Sequence, residues 1–223
     1  MRLALFDLDH TLIPFDSGMA WLRFLASHER LPPETADVYL DRCRGYVEGQ
    51  VDVRALQRAL LLPLREVARA DLDAWLAEFA VDLPASLPAA ARALVDRHRD
   101  DGDLCCLVTA TPRFIAERYA AAFGIDEVLA SEALADSHGR LTGDIAGQPC
   151  VGEHKLTRVR DWLRLQDLSL DGLERSWFYS DSSGDLPLLR AVSVPVAVRP
   201  DPRLRELAER EGWAVRMLDG PAA

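Results

Sequence analysis

Residues 2–14 read Arg2-Leu3-Ala4-Leu5-Phe6-Asp7-Leu8-Asp9-His10-Thr11-Leu12-Ile13-Pro14, and this stretch decides the fold. RLALF is a short apolar run stopped by an acid, the pattern of a buried strand. Asp7 and Asp9 stand two apart, so on an extended backbone their carboxylates face the same way. Beyond them, Pro14 and Gly18 break regularity. From Met19 to about Leu83 apolar residues recur at three- and four-residue spacing, in WLRFLASH, ETADVYLDRCRGYVEG, DVRALQRALLLPLREV and ADLDAWLAEFAVDL. That spacing predicts amphipathic helices separated by Pro32-Pro33, Gly49 and Pro63, with no strand among them.

After Pro84 and Pro88 the pattern alternates. LPAAARALVDRHRDDG, PRFIAERYAAAFG, EHKLTRVRDWLRLQ, GDLPLLRAV and PRLRELAERE read as helices. DLCCLVTA, EVLASEA, RSWFYSD, VPVAV and WAVRML read as strands, SHGRLTGDIAG as a hairpin or flap, and the DGPAA tail as frayed. Alternating strands and helices predict an α/β fold: a three-layer, Rossmann-like parallel sheet with helices on both faces. The expected division is a core of residues 1–14 and 86–223, with an all-helical cap at 15–85 inserted after the first strand.

Composition narrows the classes. Of 223 residues, 49% are hydrophobic and 28% charged, which is globular usage. With 26 basic and 36 acidic side chains the formal charge is −10, which argues against a nucleic acid partner but leaves room for a small phosphorylated one. The charge-free run Leu104–Pro112 falls well short of the roughly 18–20 residues a membrane span needs, and the N-terminus lacks a signal-peptide pattern. Cys43, Cys105, Cys106 and Cys150 form no CxxC pair. They read as reduced thiols of a cytoplasmic protein, with Cys105 and Cys106 on opposite faces of a strand. The basic residues are arginines with the single exception of Lys155, where a compact ammonium is wanted or a stray lysine has survived.

Ligands of open parallel sheets bind beyond the carboxyl ends of the strands. Those ends carry Asp7 and Asp9, then Thr109-Ala110-Thr111, then Ser180-Asp181-Ser182-Ser183-Gly184-Asp185, with Lys155 at the start of a helix. Carboxylates this close repel unless a cation intervenes, and magnesium fits oxygen-only ligands: Asp7, Asp181 and the Asp9 carbonyl.

Asp7-Leu8-Asp9-His10-Thr11, Leu107-Val108-Thr109-Ala110, Lys155 within GEHKLTRV, and Ser180-Asp181-Ser182-Ser183-Gly184-Asp185, in this order, resemble the haloacid-dehalogenase-like superfamily. Within it the chain is similar to the phosphoserine-phosphatase-like subgroup with a helical cap. The resemblance implies that Asp7 is a nucleophile that forms an aspartyl-phosphate. Asp9 would protonate the leaving oxygen and then activate water. Thr109 and the Ala110 N–H would hold phosphoryl oxygens, with Ser182 also at the substrate. Lys155 would offset charge, Asp185 would orient it, and Mg2+ would sit on Asp7, Asp9 and Asp181. Asp9 separates phosphatases from dehalogenases, because a halide needs no acid to leave. Ser180 departs from the glycine many relatives carry before the metal-binding Asp.

Asp16 stands where the phosphoserine phosphatases carry an acid that meets the substrate amine, which implies an amine-bearing monoester. Asp16-Ser17-Gly18, Trp21 and Phe24 are also similar to a group of histidinol-phosphate phosphatases, in which another acid is expected at position 18. Arg44, Arg54 and Arg58 are read as solvated helix charges, and Trp21, Tyr39, Trp75 and Phe79 as cap core. His10 and His154 are read as a loop and a helix-start residue. The leading reading is an enzyme, a phosphomonoesterase of a small metabolite. The alternatives are a phosphotransferase or mutase on the same scaffold, and a receiver-like phospho-aspartate switch. Oligomeric state is open.

Overall fold

In the computed structural model, which describes residues 1–47 and 50–218, RLALF forms the central strand β1 (Arg2–Phe6) of a seven-stranded sheet. Across the sheet lie β4 (Leu141–Ala146), β3 (Glu127–Ala135), β2 (Leu104–Pro112), β1, β5 (Arg175–Ser180), β6 (Val194–Val198) and β7 (Ala214–Arg216). The chain winds outward from β1 both ways, with Phe6 paired to Leu107 on one side and Tyr179 on the other. The order reverses at β1, so a crevice opens beyond the ends of β1, β2 and β5.

One edge of the otherwise parallel sheet carries the hairpin read in the sequence. β4 runs antiparallel to β3, because SHGRLTGDIAG turns back tightly, with the Asp136 N–H donating to the Arg140 carbonyl at 2.8 Å. A tight hairpin joins only antiparallel strands.

Residues 15–85 contain helix and turn but no strand among the described residues, as the periodicity predicted. They supply α1 (Ser17–Ser27), α2 (Glu34–Val47), α3 (Val53–Leu61), α4 (Arg69–Val81) and most of the short α5 (Leu83–Ser86). Pro63 sits in a 3-10 turn (Leu62–Leu64) after α3. The predicted break at Gly49 and the DGPAA tail lie outside the described residues. Then follow α6 (Ala89–Asp100), α7 (Arg113–Phe123), α8 (Glu153–Arg164), α9 (Leu186–Leu189) and α10 (Pro202–Glu211).

Both faces of the sheet are buried, and strand period sorts the side chains. Leu3 and Leu5 point with Cys106, Val108 and Phe178 into a core closed by α8, α9 and α10. Ala4 and Phe6 point with Leu107 and Tyr179 into the opposite core, covered by α6 and α7. Trp21, Leu22, Leu60, Leu76 and Phe79 join that second core, so the helices of 15–85 are continuous with one side of the sheet. Burial of each such side chain stabilises by about 1.5–3 kcal/mol. Cys105 and Cys106 fall on opposite faces as expected, and all four thiols are free.

Candidate active site

β1 ends at Phe6, and the Asp7 N–H still donates to the Tyr179 carbonyl at 3.0 Å, which fixes Asp7 at the sheet's edge. His10 then adopts a left-handed backbone (φ 58°) and the chain doubles back. The turn returns the Thr11 hydroxyl to Asp7 (3.3 Å) and Asp181 (3.2 Å), and the Asp181 N–H donates to the same hydroxyl at 2.9 Å. Thr11 therefore ties β1 to the loop after β5, 170 positions away.

Lys155, only 3% exposed, enters from the first turn of α8. Its ammonium donates to Asp7 Oδ1 and Asp185 Oδ2, each at 2.7 Å. Burial opposes its charge, yet Asp185 and Asp7 outweigh burial and hold the ammonium above the ordinary lysine range. Asp185 also accepts from the Ser180 hydroxyl at 2.7 Å. The residue that departs from glycine thus orients the acid that orients Lys155.

Asp9 belongs to a second half of the site. It accepts the Ser17 N–H at 2.7 Å and the Thr111 hydroxyl at 2.6 Å, and Ser17 and Thr111 lie 2.9 Å apart. Burial, then the Asp16 carboxylate nearby, push Asp9 up to about 6 despite these hydrogen bonds. Asp7 is raised by burial against the pull of Lys155, and Asp181 by burial and then by Asp7.

β2 and β3 pair through Val108–Leu129 and resume only at Pro112–Ser131, so residues 109–111 fall in a register shift. Their peptide groups leave the ladder just where a ligand would meet them. The Thr109 hydroxyl accepts the Thr111 N–H at 3.1 Å, which leaves its own hydrogen to donate. The Ala110 carbonyl is held by the Gln57 side-chain amide, which also donates to the Ser131 hydroxyl at 2.9 Å. Ser182 is expected at the substrate, but its hydroxyl accepts the Gly184 N–H at 3.1 Å and caps the turn Ser183–Asp185. Asp16 caps α1 through the Met19 N–H (2.7 Å) and faces the Tyr39 hydroxyl.

Asp7, Asp181, Asp185, Lys155 and Thr11 converge, with Asp9 and Thr109 beside them. Thr111, Ser17, Ser180 and Gln57 are the residues sequence reasoning did not assign to the site. Only Thr111, Ser17 and Ser180 carried a signal, by adjoining motif residues. Tyr39 is buried as expected of core, yet its hydroxyl turns to Asp16. Arg54 and Arg58 reach Asp144 at 3.1 and 3.7 Å, and Arg44 reaches Asp41 at 3.2 Å. Among the described residues the imidazoles of His10 and His154 make no hydrogen bond or ion pair with the cluster.

A magnesium ion fits this donor set. Among the described residues no three His, Cys, Asp or Glu side chains converge as ligands. Two carboxylates and a backbone carbonyl suffice for an ion that keeps several waters. Asp7 and Asp181, bridged by one hydroxyl and raised by burial, have too little positive charge between them without a cation.

This architecture is that of an acid-rich crevice at the switch point of a doubly wound sheet, and the family profile of haloacid dehalogenase-like hydrolases matches residues 4–190. The chain belongs to that family, on its phosphatase side. It is 36% identical over 217 residues to a histidinol-phosphatase of Neisseria meningitidis serogroup C, covering 96% of this chain and 97% of the relative. It is 32% identical over 219 residues to phosphoserine phosphatase SerB1 of Mycobacterium tuberculosis, covering 96% and 70%. A Bordetella pertussis Tohama I structure of unknown function shares 41% identity at a TM-score of 0.88, covering 96% and 97%. A substrate-bound phosphoserine phosphatase shares the fold, with a TM-score of 0.67 at 15% identity, covering 99% and 93%. Membership among these hydrolases sets aside the receiver-like switch. No helix among the described residues is long and apolar enough to cross a membrane.

Proposed function

We propose that the protein is a magnesium-dependent phosphomonoesterase that acts through an aspartyl-phosphate on a small, amine-bearing phosphorylated metabolite. The observation that carries this reading is the split of two neighbouring acids. Burial raises both to about 6, but Asp7 accepts the Lys155 ammonium, whereas Asp9 accepts only the neutral Ser17 N–H and Thr111 hydroxyl. Two acids whose surroundings differ in this way suit a nucleophile and a general acid.

In the first step an Asp7 oxygen attacks phosphorus and the ester P–O bond breaks. Asp9 gives its proton to the leaving alkoxide. In the second, Asp9 takes a proton from water, the resulting oxygen attacks phosphorus, and the aspartyl P–O bond breaks. Free phosphate leaves and Asp7 is restored. Thr109 and the Ala110 N–H orient the phosphoryl group, and Gln57 holds the Ala110 peptide that carries the next link of the loop. Lys155 and Asp185 keep Asp7 aimed. Magnesium on Asp7, Asp181 and the Asp9 carbonyl would neutralise charge that builds on the transferring oxygens.

The helices of 15–85 act in this reading as a cap over a body of 1–14 and 86–223. Asp16, at the start of the cap, meets the substrate amine. The relationship to a histidinol-phosphatase over 97% of its length supports an amino-alcohol phosphate of that kind. The four free thiols support a cytoplasmic location. Purified protein with magnesium is expected to release phosphate from an aryl phosphate and from histidinol phosphate. Asp7→Asn is expected to lower kcat by several orders of magnitude, and full activity of that variant overturns the reading.

A further inference from the structure

We propose that Tyr39 on α2 selects the substrate: with Asp16, in room that Gly18 leaves open, it builds an acidic contact point for an ammonium-bearing monoester that lacks a carboxylate. The inference rests on the phosphomonoesterase reading and narrows its substrate class.

The first observation is the state of Asp16. Its Oδ1 accepts the Met19 N–H at 2.7 Å, and the Tyr39 hydroxyl stands 3.3 and 3.5 Å from its two oxygens. Among the described residues it has no ion-pair partner. Asp9 lies alongside, fixed by the Ser17 N–H of the same helix start. Two largely desolvated carboxylates side by side favour a ligand that brings a cation. Tyr39 holds Asp16 in place with a neutral donor and leaves its charge intact.

Gly18 is the second. A Cβ there would lie 2.7 Å from Tyr39 Oη and 3.2 Å from Asp16 Oδ1. Its backbone is helical, so no left-handed turn requires a glycine at this position. Glycine is a poor helix former, and what it gives here is space for the phenol to reach Asp16.

The third observation concerns cations. A substrate carboxylate needs one, and the two arginines of α3 are already held by one acid. Arg54 is strapped to Asp144 and to the carbonyls of Ile145 and Gly147, and Arg58 reaches the same Asp144. Lys155 is held between Asp7 and Asp185. A carboxylate placed beside Asp9 and Asp16 would face two acidic side chains, neither of which has an ion pair to an arginine or lysine among the described residues.

Tyr39 acts through Asp16 and is a positioning residue. The test measures kcat and KM of the full chain with magnesium on four probes: p-nitrophenyl phosphate, phosphoethanolamine, histidinol phosphate and phosphoserine. The better of the two amino-alcohol phosphates is expected to exceed phosphoserine by about tenfold or more in kcat/KM, because like charges juxtaposed on binding are strongly disfavoured. Tyr39→Phe removes only the hydroxyl, and Gly18→Ala keeps it but displaces it. Each is expected to lower the ratio of amino-alcohol phosphate to aryl phosphate about tenfold, through KM, the size of one hydrogen bond to a charged group. Thermal melts identify a variant that fails to fold, and the other variant then decides. No hydrolysis of any probe by the wild type overturns the phosphatase reading and this inference with it. Hydrolysis of the aryl phosphate with phosphoserine equal to the amino-alcohol phosphates, or unchanged ratios in the variants, overturns the selectivity alone.

Discussion

Lys155 bonds two buried carboxylates that would otherwise face each other across the crevice, Asp7 and Asp185. Removing one partner of a buried ionic group leaves uncompensated charge. Lys155→Ala is therefore expected to destabilise the fold by about 3–5 kcal/mol, read from denaturant melts. Lys155→Arg is expected to fold but not to restore turnover, since a planar fork cannot take the place of a compact ammonium. Lys155 was legible because no other lysine competes with it, and Asp7, Asp9 and Asp181 because they close predicted strands. Thr111, Ser180 and Gln57 were not legible as partners. A serine or glutamine has many uses, and only its distant neighbours define which one applies.

Helix ends hold the site as firmly as the strands do. Asp201 caps α10 by accepting the Leu204 N–H at 2.7 Å. It also accepts the Ser183 N–H at 2.6 Å, and its own N–H donates to the Asp181 carbonyl at 2.8 Å. Burial works against its charge, but these hydrogen bonds outweigh burial and hold it below 3.8. A depressed carboxylate adds stability above the unfolded value, and the gain disappears as pH falls through the folded one. Asp201→Ala is expected to lose about 1 kcal/mol near neutral pH. The gap to wild type should be smaller at strongly acid than at neutral pH, because it closes as pH falls through the folded value and the wild-type acid is protonated too. Equal gaps at both pH values count against the cap. Element types and order followed the predicted pattern closely, from α1 through β7. β4 lies antiparallel at the edge, in keeping with the hairpin read in SHGRLTGDIAG, because its direction depends on a turn and not on periodicity.

For the molecule as a whole, the decisive quantity is the charge gathered where β1, β2 and β5 end. Asp7, Asp9 and Asp181 are raised there, and Lys155 offsets only part of that crowding. A divalent cation that binds the folded state alone should stabilise it, by about 2.7 kcal/mol at a hundredfold excess over its Kd. Magnesium is thus expected to raise Tm, and a chelator to reverse the rise. Asp181→Ala should abolish the response while the protein stays folded. A magnesium effect of equal size in that variant places the ion elsewhere.

Periodicity and punctuation along the chain determined the strands, the helices, their order and the candidates at the strand ends, because these depend on contacts between near neighbours. Only the tertiary structure decided that Arg54 and Arg58 turn to Asp144, that Gln57 holds the Ala110 peptide, and that Tyr39 reaches Asp16 past a glycine. Such pairings join residues up to 90 positions apart, and packing of the whole chain sets which side chains meet.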